Sequence, residues 1–85
     1  MNKKYLKELA QIFLSLKNES EVITFMEAIL TPKELEEIPT RLQIVKMLKD
    51  GTPQREIASK LGVGVATVSR GSQELQKGHF QNIQP

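Results

Sequence analysis

Residues 54–75 read QREIASKLGVGVATVSRGSQEL. Two segments of helical apolar spacing flank the break Gly62-Val63-Gly64. In the first, Ile57, Ala58 and Leu61 share one face; in the second, Val68 takes the matching place. A DNA-reading helix pair needs a tight turn between its helices. Ala58 is small enough to let the second helix cross closely over the first. Gly62 allows a left-handed backbone in the turn. Ile57, Leu61, Val63 and Val68 then lock the pair. The stretch therefore predicts a helix-turn-helix over about residues 53–77. A purely structural helical hairpin is the competing reading of the same pattern.

A recognition helix enters the major groove by its N-terminal end. Here that end is Val65, Ala66, Thr67 and Ser69, which the spacing points outward. Small apolar side chains can touch thymine methyls, and hydroxyls can reach bases or phosphates. No Asn, Gln or Arg stands at the tip for a bidentate base contact. Direct readout should therefore be sparse, with water and DNA shape contributing. Gln54, Arg55 and Lys60 are placed for phosphates; for Lys60, ordinary solvation explains the charge equally well.

The rest of the chain also reads as helix. In KKYLKELAQIFLSLK, Leu6, Leu9, Phe13 and Leu16 form one stripe, widened by Tyr5, Ile12 and Leu14. A helix apolar on more than one side is buried on more than one side. Asn18 and Ser20 are alternative N-caps for EVITFMEAIL, whose inner face is Val22, Phe25, Met26 and Ile29. At 31–34, TPKE places a cap at Thr31, proline at the first helical position and Glu34 to close a capping box. The helix that follows carries Leu35, Ile38, Leu42, Val45 and Leu48, and Pro39 inside it predicts a kink or two short helices. Gly51 ends it, Thr52-Pro53 repeats the cap-then-proline start, and Gly78 ends the last helix. The tail HFQNIQP either forms one turn against the core or frays. No strand pattern appears, so the fold class is all-α.

With 85 residues, the chain is read as a single helical domain, 1–85. Such a domain is marginal alone, and no cysteine supplies a disulfide or a thiolate metal site. A second copy of the chain is the expected remedy. Charge is uneven. Residues 1–40 hold five lysines and seven glutamates, while residues 41–70 hold Arg41, Lys46, Lys49, Arg55, Lys60 and Arg70 against Asp50 and Glu56. A basic middle suits a polyanion, although a solvated helix surface would show the same charges. No apolar run approaches the roughly 18 residues that span a bilayer, and MNKKYLKELAQ does not read as a signal peptide. A cytoplasmic protein without membrane contact is expected. Enzymatic chemistry is not: His79 is the single histidine, no cysteine nucleophile exists, and no metal-ligand spacing occurs. Gly62-x-Gly64 lacks the preceding strand and following lysine of a phosphate loop.

Arg70-Gly71 raises a separate question. A helix-interior glycine costs about 1 kcal/mol relative to alanine. Either another helix or a flat ligand approaches the backbone there. Arg70 could lay its guanidinium over an aromatic ligand, with Arg41 acting from the other side; the spacing leaves both explanations open.

The pieces LTPKE, TRLQIV, QREI and ATVSRGS, in that order within residues 30–75, resemble the tryptophan repressor family. The resemblance implies an intertwined helical homodimer that binds double-stranded operator DNA when L-tryptophan is bound, with no other cofactor and no metal. It implies a ligand between Arg41 and Arg70, with the indole packed near Gly71. Leu30 and Thr31 match the residues by which the partner subunit closes the pocket. DNA contacts carry over to Gln54, Arg55, Val65, Ala66, Thr67 and Ser69. Glu74 departs from the family's small hydroxyl, and a carboxylate there could pair with the ligand's ammonium or block the site. Ala58 stands where a DNA-contacting lysine is often found, and the C-terminus lacks most of a final helix. Three functions remain in view: a homodimeric repressor gated by tryptophan, a DNA-binding protein of the same fold with no ligand, and a helical protein-interaction module.

Overall fold

The computed structural model describes residues 1–85 and contains five helices and no strand. They are α1 (Lys3–Ser15), α2 (Glu19–Ile29), α3 (Pro32–Lys49), α4 (Gln54–Leu61) and α5 (Val65–Gln76). The contacts divide the chain into two compact units, residues 1–35 and 36–85, with the boundary inside α3.

In the first unit, each helix starts on a side-chain cap. The Tyr5 amide donates to Asn2 Oδ1 at 3.0 Å, and the Glu21 amide to Asn18 Oδ1 at 2.9 Å. Asn18, rather than Ser20, is thus the cap of α2. At the start of α3 the capping box closes in both directions: the Thr31 amide donates to Glu34 Oε1 at 2.9 Å, and the Glu34 amide to Thr31 Oγ1 at 3.2 Å. The phenyl rings of Phe13 and Phe25 meet edge to face with centroids 5.2 Å apart. Yet neither α1 nor α2 contains a buried residue. Tyr5, Leu6, Ile12, Phe13 and Leu14 of α1 and Ile23 and Ile29 of α2 remain exposed. The wide stripe of α1 is real, and its outer side is uncovered.

α3 is one continuous helix with Pro39 inside it, so the alternative of two short helices is not adopted. Proline removes one amide donor, and helical bonding resumes on either side; the Thr40 hydroxyl returns to the Glu36 carbonyl at 2.8 Å. The expected stripe needs correction. Ile38 and Leu42 are exposed, whereas Ile44 and Val45 are buried. Ile44 faces the helices that follow it, and the face through Ile38 and Leu42 has no cover in a single chain.

The second unit is built on the helix-turn-helix. Ile57 and Val68 are wholly buried, and together with Ile44 and Ala58 they form the core. Met47, Leu48, Leu61 and Val63 pack around it. Ala58, 7% exposed, is where α4 and α5 cross. Gly62 takes φ +66° at the end of α4, and the Val63 amide closes on the Ala58 carbonyl at 3.1 Å. A side chain is disfavoured in that conformation. The start of α4 falls one residue later than the sequence suggests. Pro53, at φ −60° and ψ 145°, is the cap residue rather than the first helical one, because its ψ is still extended.

Candidate DNA-reading surface and ligand pocket

α4 and α5 differ from the helices before them in how they begin. Their N-cap residues, Pro53 and Gly64, provide no side-chain hydrogen bond. The first-turn amides of both helices therefore lack the side-chain acceptor that Asn2, Asn18 and Thr31 give the others. Such amides suit an anion. Gln54 and Arg55 open α4, and Val65, Ala66 and Thr67 open α5; all but Gln54 are exposed. Lys60 is exposed and reaches Glu56 at 3.5 Å, one turn earlier.

Ser69 does not point outward as its spacing suggests. It is half-buried, and its hydroxyl donates to Gln54 Oε1 at 2.8 Å. The bond orients the Gln54 amide so that its Nε2 group is left to donate elsewhere. Ser69 thus ties the start of α4 to α5, and Gln54 is the member of the pair with a free donor end.

Behind this surface lies a cavity of about 230 Å³, lined by Arg41, Ile44, Val45, Thr67, Arg70, Gly71, Glu74 and Phe80. Its size suits a ligand smaller than the roughly 300–1,000 Å³ drug-sized class. Arg41 and Arg70, far apart in sequence, come to one pocket because α3 approaches α5 at Ile44, Leu48 and Gly71. Arg41 is otherwise held only by Glu37, 3.9 Å away on an exposed helix face, an interaction that constrains it little. Leu30 and Thr31 belong to the first unit, at the α2–α3 junction.

Gly71 has a structural explanation. A methyl group on its Cα would lie 3.1 Å from Ile44 Cγ2 and 3.6 Å from Leu48 Cδ1. α3 approaches α5 so closely there that a side chain is crowded. Helix packing accounts for the glycine, and the same close approach leaves backbone exposed on the pocket wall.

Glu74 enters the pocket as an ionised carboxylate. Lys77 Nζ donates to its Oε1 at 3.1 Å, and His79 Nδ1 lies 2.8 Å from Oε2. An ionised carboxylate only accepts, so the imidazole donates. These bonds, that of Lys77 first and that of His79 second, hold the Glu74 carboxyl below the usual carboxylate range. Each oxygen keeps room for a further donor, so the carboxylate can accept from an ammonium while retaining its own partners.

The residues that sequence reasoning missed are Ile44, Val45 and Phe80. Val45 had been placed in the core stripe but not in a site. Phe80 carried a signal: a glycine at the helix end turns the chain back, and Gly78 does so at φ +85°. Apolar residues just beyond such a turn land on the helix they left.

Taken together, a tight helix pair with an open-ended second helix, mounted beside a pocket, defines an all-α helix-turn-helix DNA-binding protein. The chain belongs to the Trp repressor protein family, whose pattern matches residues 4–83. Uncharacterized protein YerC of Bacillus subtilis (strain 168) is 34% identical over 76 residues, covering 86% of this chain and 73% of the relative. The Trp operon repressor homolog of Xylella fastidiosa (strain M23) is 32% identical over 76 residues, covering 88% and 83%. That of Vibrio vulnificus (strain YJ016) is 47% identical over a shorter span of 49 residues, 56% of this chain and 48% of the relative. No solved structure matches the chain. The family is one of DNA-binding regulators and not of enzymes. No helix is long and apolar enough to cross a membrane.

Proposed function

We propose that the protein is a homodimeric, cytoplasmic transcriptional repressor that binds a palindromic operator when L-tryptophan occupies the cavity between Arg41 and Arg70. The observation that carries this reading is that both arginines, Gly71 and Glu74 line one cavity whose wall also includes Thr67 of the DNA-reading helix. The guanidinium groups offer planar faces to an indole and donors to a carboxylate. Glu74 offers an acceptor to an ammonium. Leu30 and Thr31 are assigned, from the partner subunit, to closing the ligand's amino end. Gln54, Arg55 and Lys60 take phosphates, while Val65, Ala66 and Thr67 meet base edges and Ser69 holds Gln54 in place.

Dimerisation is supported by the uncovered apolar residues of α1 and α2 and by Ile38 and Leu42 of α3. Two recognition helices would then address successive major grooves, about 34 Å apart. Ligand that favours this spacing raises DNA affinity, and DNA raises ligand affinity by the same factor.

The test is a titration of the protein onto a palindromic operator library, with and without L-tryptophan, at fixed salt. Tryptophan-dependent selection of one palindrome supports the gated repressor, and Arg70→Ala should abolish that dependence. Selection that ignores tryptophan favours a second reading, a ligand-free DNA binder of the same fold, for which the packing of Gly71 on Ile44 is the supporting observation. Failure to bind DNA with a steep salt dependence refutes both and leaves a helical interaction module.

A further inference from the structure

The C-terminal tail is tied to the two helices that build the pocket. Lys77 and His79, on either side of Gly78, both return to Glu74 of α5. Farther on, Lys49 Nζ at the end of α3 donates to the Ile83 carbonyl at 2.7 Å, a half-buried bond. Between these tethers the Ile83 amide closes on the Phe80 carbonyl at 3.2 Å. Phe80 and Ile83 are half-buried, and Phe80 is the one aromatic side chain lining the cavity. Phe80 lines a cavity of about 230 Å³ and so borders the space.

We infer that the tail segment Gly78–Pro85, through Phe80, is the third wall of the pocket beside α3 and α5, and that Phe80 contacts the ligand and selects an aromatic amino acid over an aliphatic one. This deepens the tryptophan-gated reading and rests on it. No other lining residue is aromatic. Ile44 and Val45 would receive leucine as readily as an indole, and Glu74 would hold the ammonium of any amino acid; beside the planar faces of the two guanidinium groups, only Phe80 adds a preference for a ring. An aromatic ring prefers another ring in an offset or edge-to-face arrangement, and Phe80 is placed to provide it. The tethers at His79 and Ile83 keep Phe80 at the pocket edge at little further entropic loss on binding.

The chain contains no tryptophan and one tyrosine, Tyr5, so with excitation beyond the tyrosine band the fluorescence of L-tryptophan is free of protein background. Phe80→Leu keeps an apolar side chain of similar volume and removes the ring. Its affinity for L-tryptophan is expected to fall about tenfold, with the preference for tryptophan over L-leucine, read by displacement, shrinking by a similar factor. Lys49→Met releases the tail from α3 without substituting any lining residue, and should reproduce part of that loss. Salt-dependent binding to non-operator DNA serves as the folding control and should be unchanged. A merely structural role for Phe80 would weaken both amino acids alike, so an unaltered tryptophan-to-leucine preference in Phe80→Leu and Phe80→Ala overturns the inference while the gated reading stands. Absence of tryptophan binding in the unsubstituted protein overturns both.

Discussion

Gly71→Ala sets two opposing effects against each other. Alanine in a helix interior gains about 1 kcal/mol over glycine. The added methyl must also fit 3.1 Å from Ile44 Cγ2. Ile44 is 2% exposed, and the crowded atom is a branch methyl whose rotamer is fixed in a helix. It cannot swing aside as the end of a flexible chain would, so α3 and α5 must part slightly. Overpacking of a well-filled core costs about 1–3 kcal/mol. The crowding outweighs the propensity gain, and a net loss of about 1 kcal/mol is expected, lowering Tm by about 4–8 °C in a domain of this size. Urea unfolding at fixed protein concentration measures it. The decisive comparison is the same substitution in an Ile44→Leu background, which lacks the second branch methyl. There Gly71→Ala should become neutral or stabilising, giving a coupling of about 1–2 kcal/mol in the double-mutant cycle. Equal stabilisation in both backgrounds would refute the packing explanation and return Gly71 to the ligand.

Other consequences can be checked with the same equipment. Thr31→Ala removes the hydroxyl that caps α3 and should destabilise by about 1 kcal/mol in thermal unfolding. The Glu34 carboxyl is held below its ordinary 4.5, first by the Thr31 amide and then by the Thr31 hydroxyl. Its contribution is therefore present above the unfolded value and lost as pH falls through the folded one; Glu34→Gln should narrow the loss of stability between neutral pH and about pH 3. Ser69→Ala breaks the 2.8 Å bond to Gln54. It should lower operator affinity without changing the salt slope, since Gln54 is uncharged and no Lys or Arg contact to phosphate is removed; an affinity equal to that of the unsubstituted protein would show that Gln54 needs no support.

Local signals proved legible because local chemistry decides them. Thr31-Pro32-Lys33-Glu34 closes its capping box within four residues, and Gly51, Gly62 and Gly78 all take the positive φ that helix ends require. The helix pair was readable because its core, Ile57, Ala58 and Val68, lies within a dozen residues. What escaped depended on contacts between distant segments. Ile44 sits one position before Val45, off the stripe that a single helix suggests, and only the packing of α3 on α5 makes it core. Ser69 has the spacing of an outward residue, yet a partner fifteen positions earlier draws its hydroxyl inward. In the pocket, Arg41, Arg70, Gly71 and Glu74 were legible as candidates, the first three already from residue type and spacing and Glu74 only through the resemblance. For Phe80, Gly78 signalled only that the chain turns back; its place at the pocket depends on tethers from Lys49 and Glu74 that no periodicity encodes.

Thr67 lies at the exposed start of α5 and also in the pocket wall. One short side chain thus separates what the protein reads outside from what it holds inside. A lineage that retuned the pocket by enlarging residue 67 would alter the groove-facing surface in the same step. Drift in effector preference and drift in target sequence would then be inherited together at this position. Independent change is easier at Phe80, which borders the cavity and lies away from the opening turn of α5.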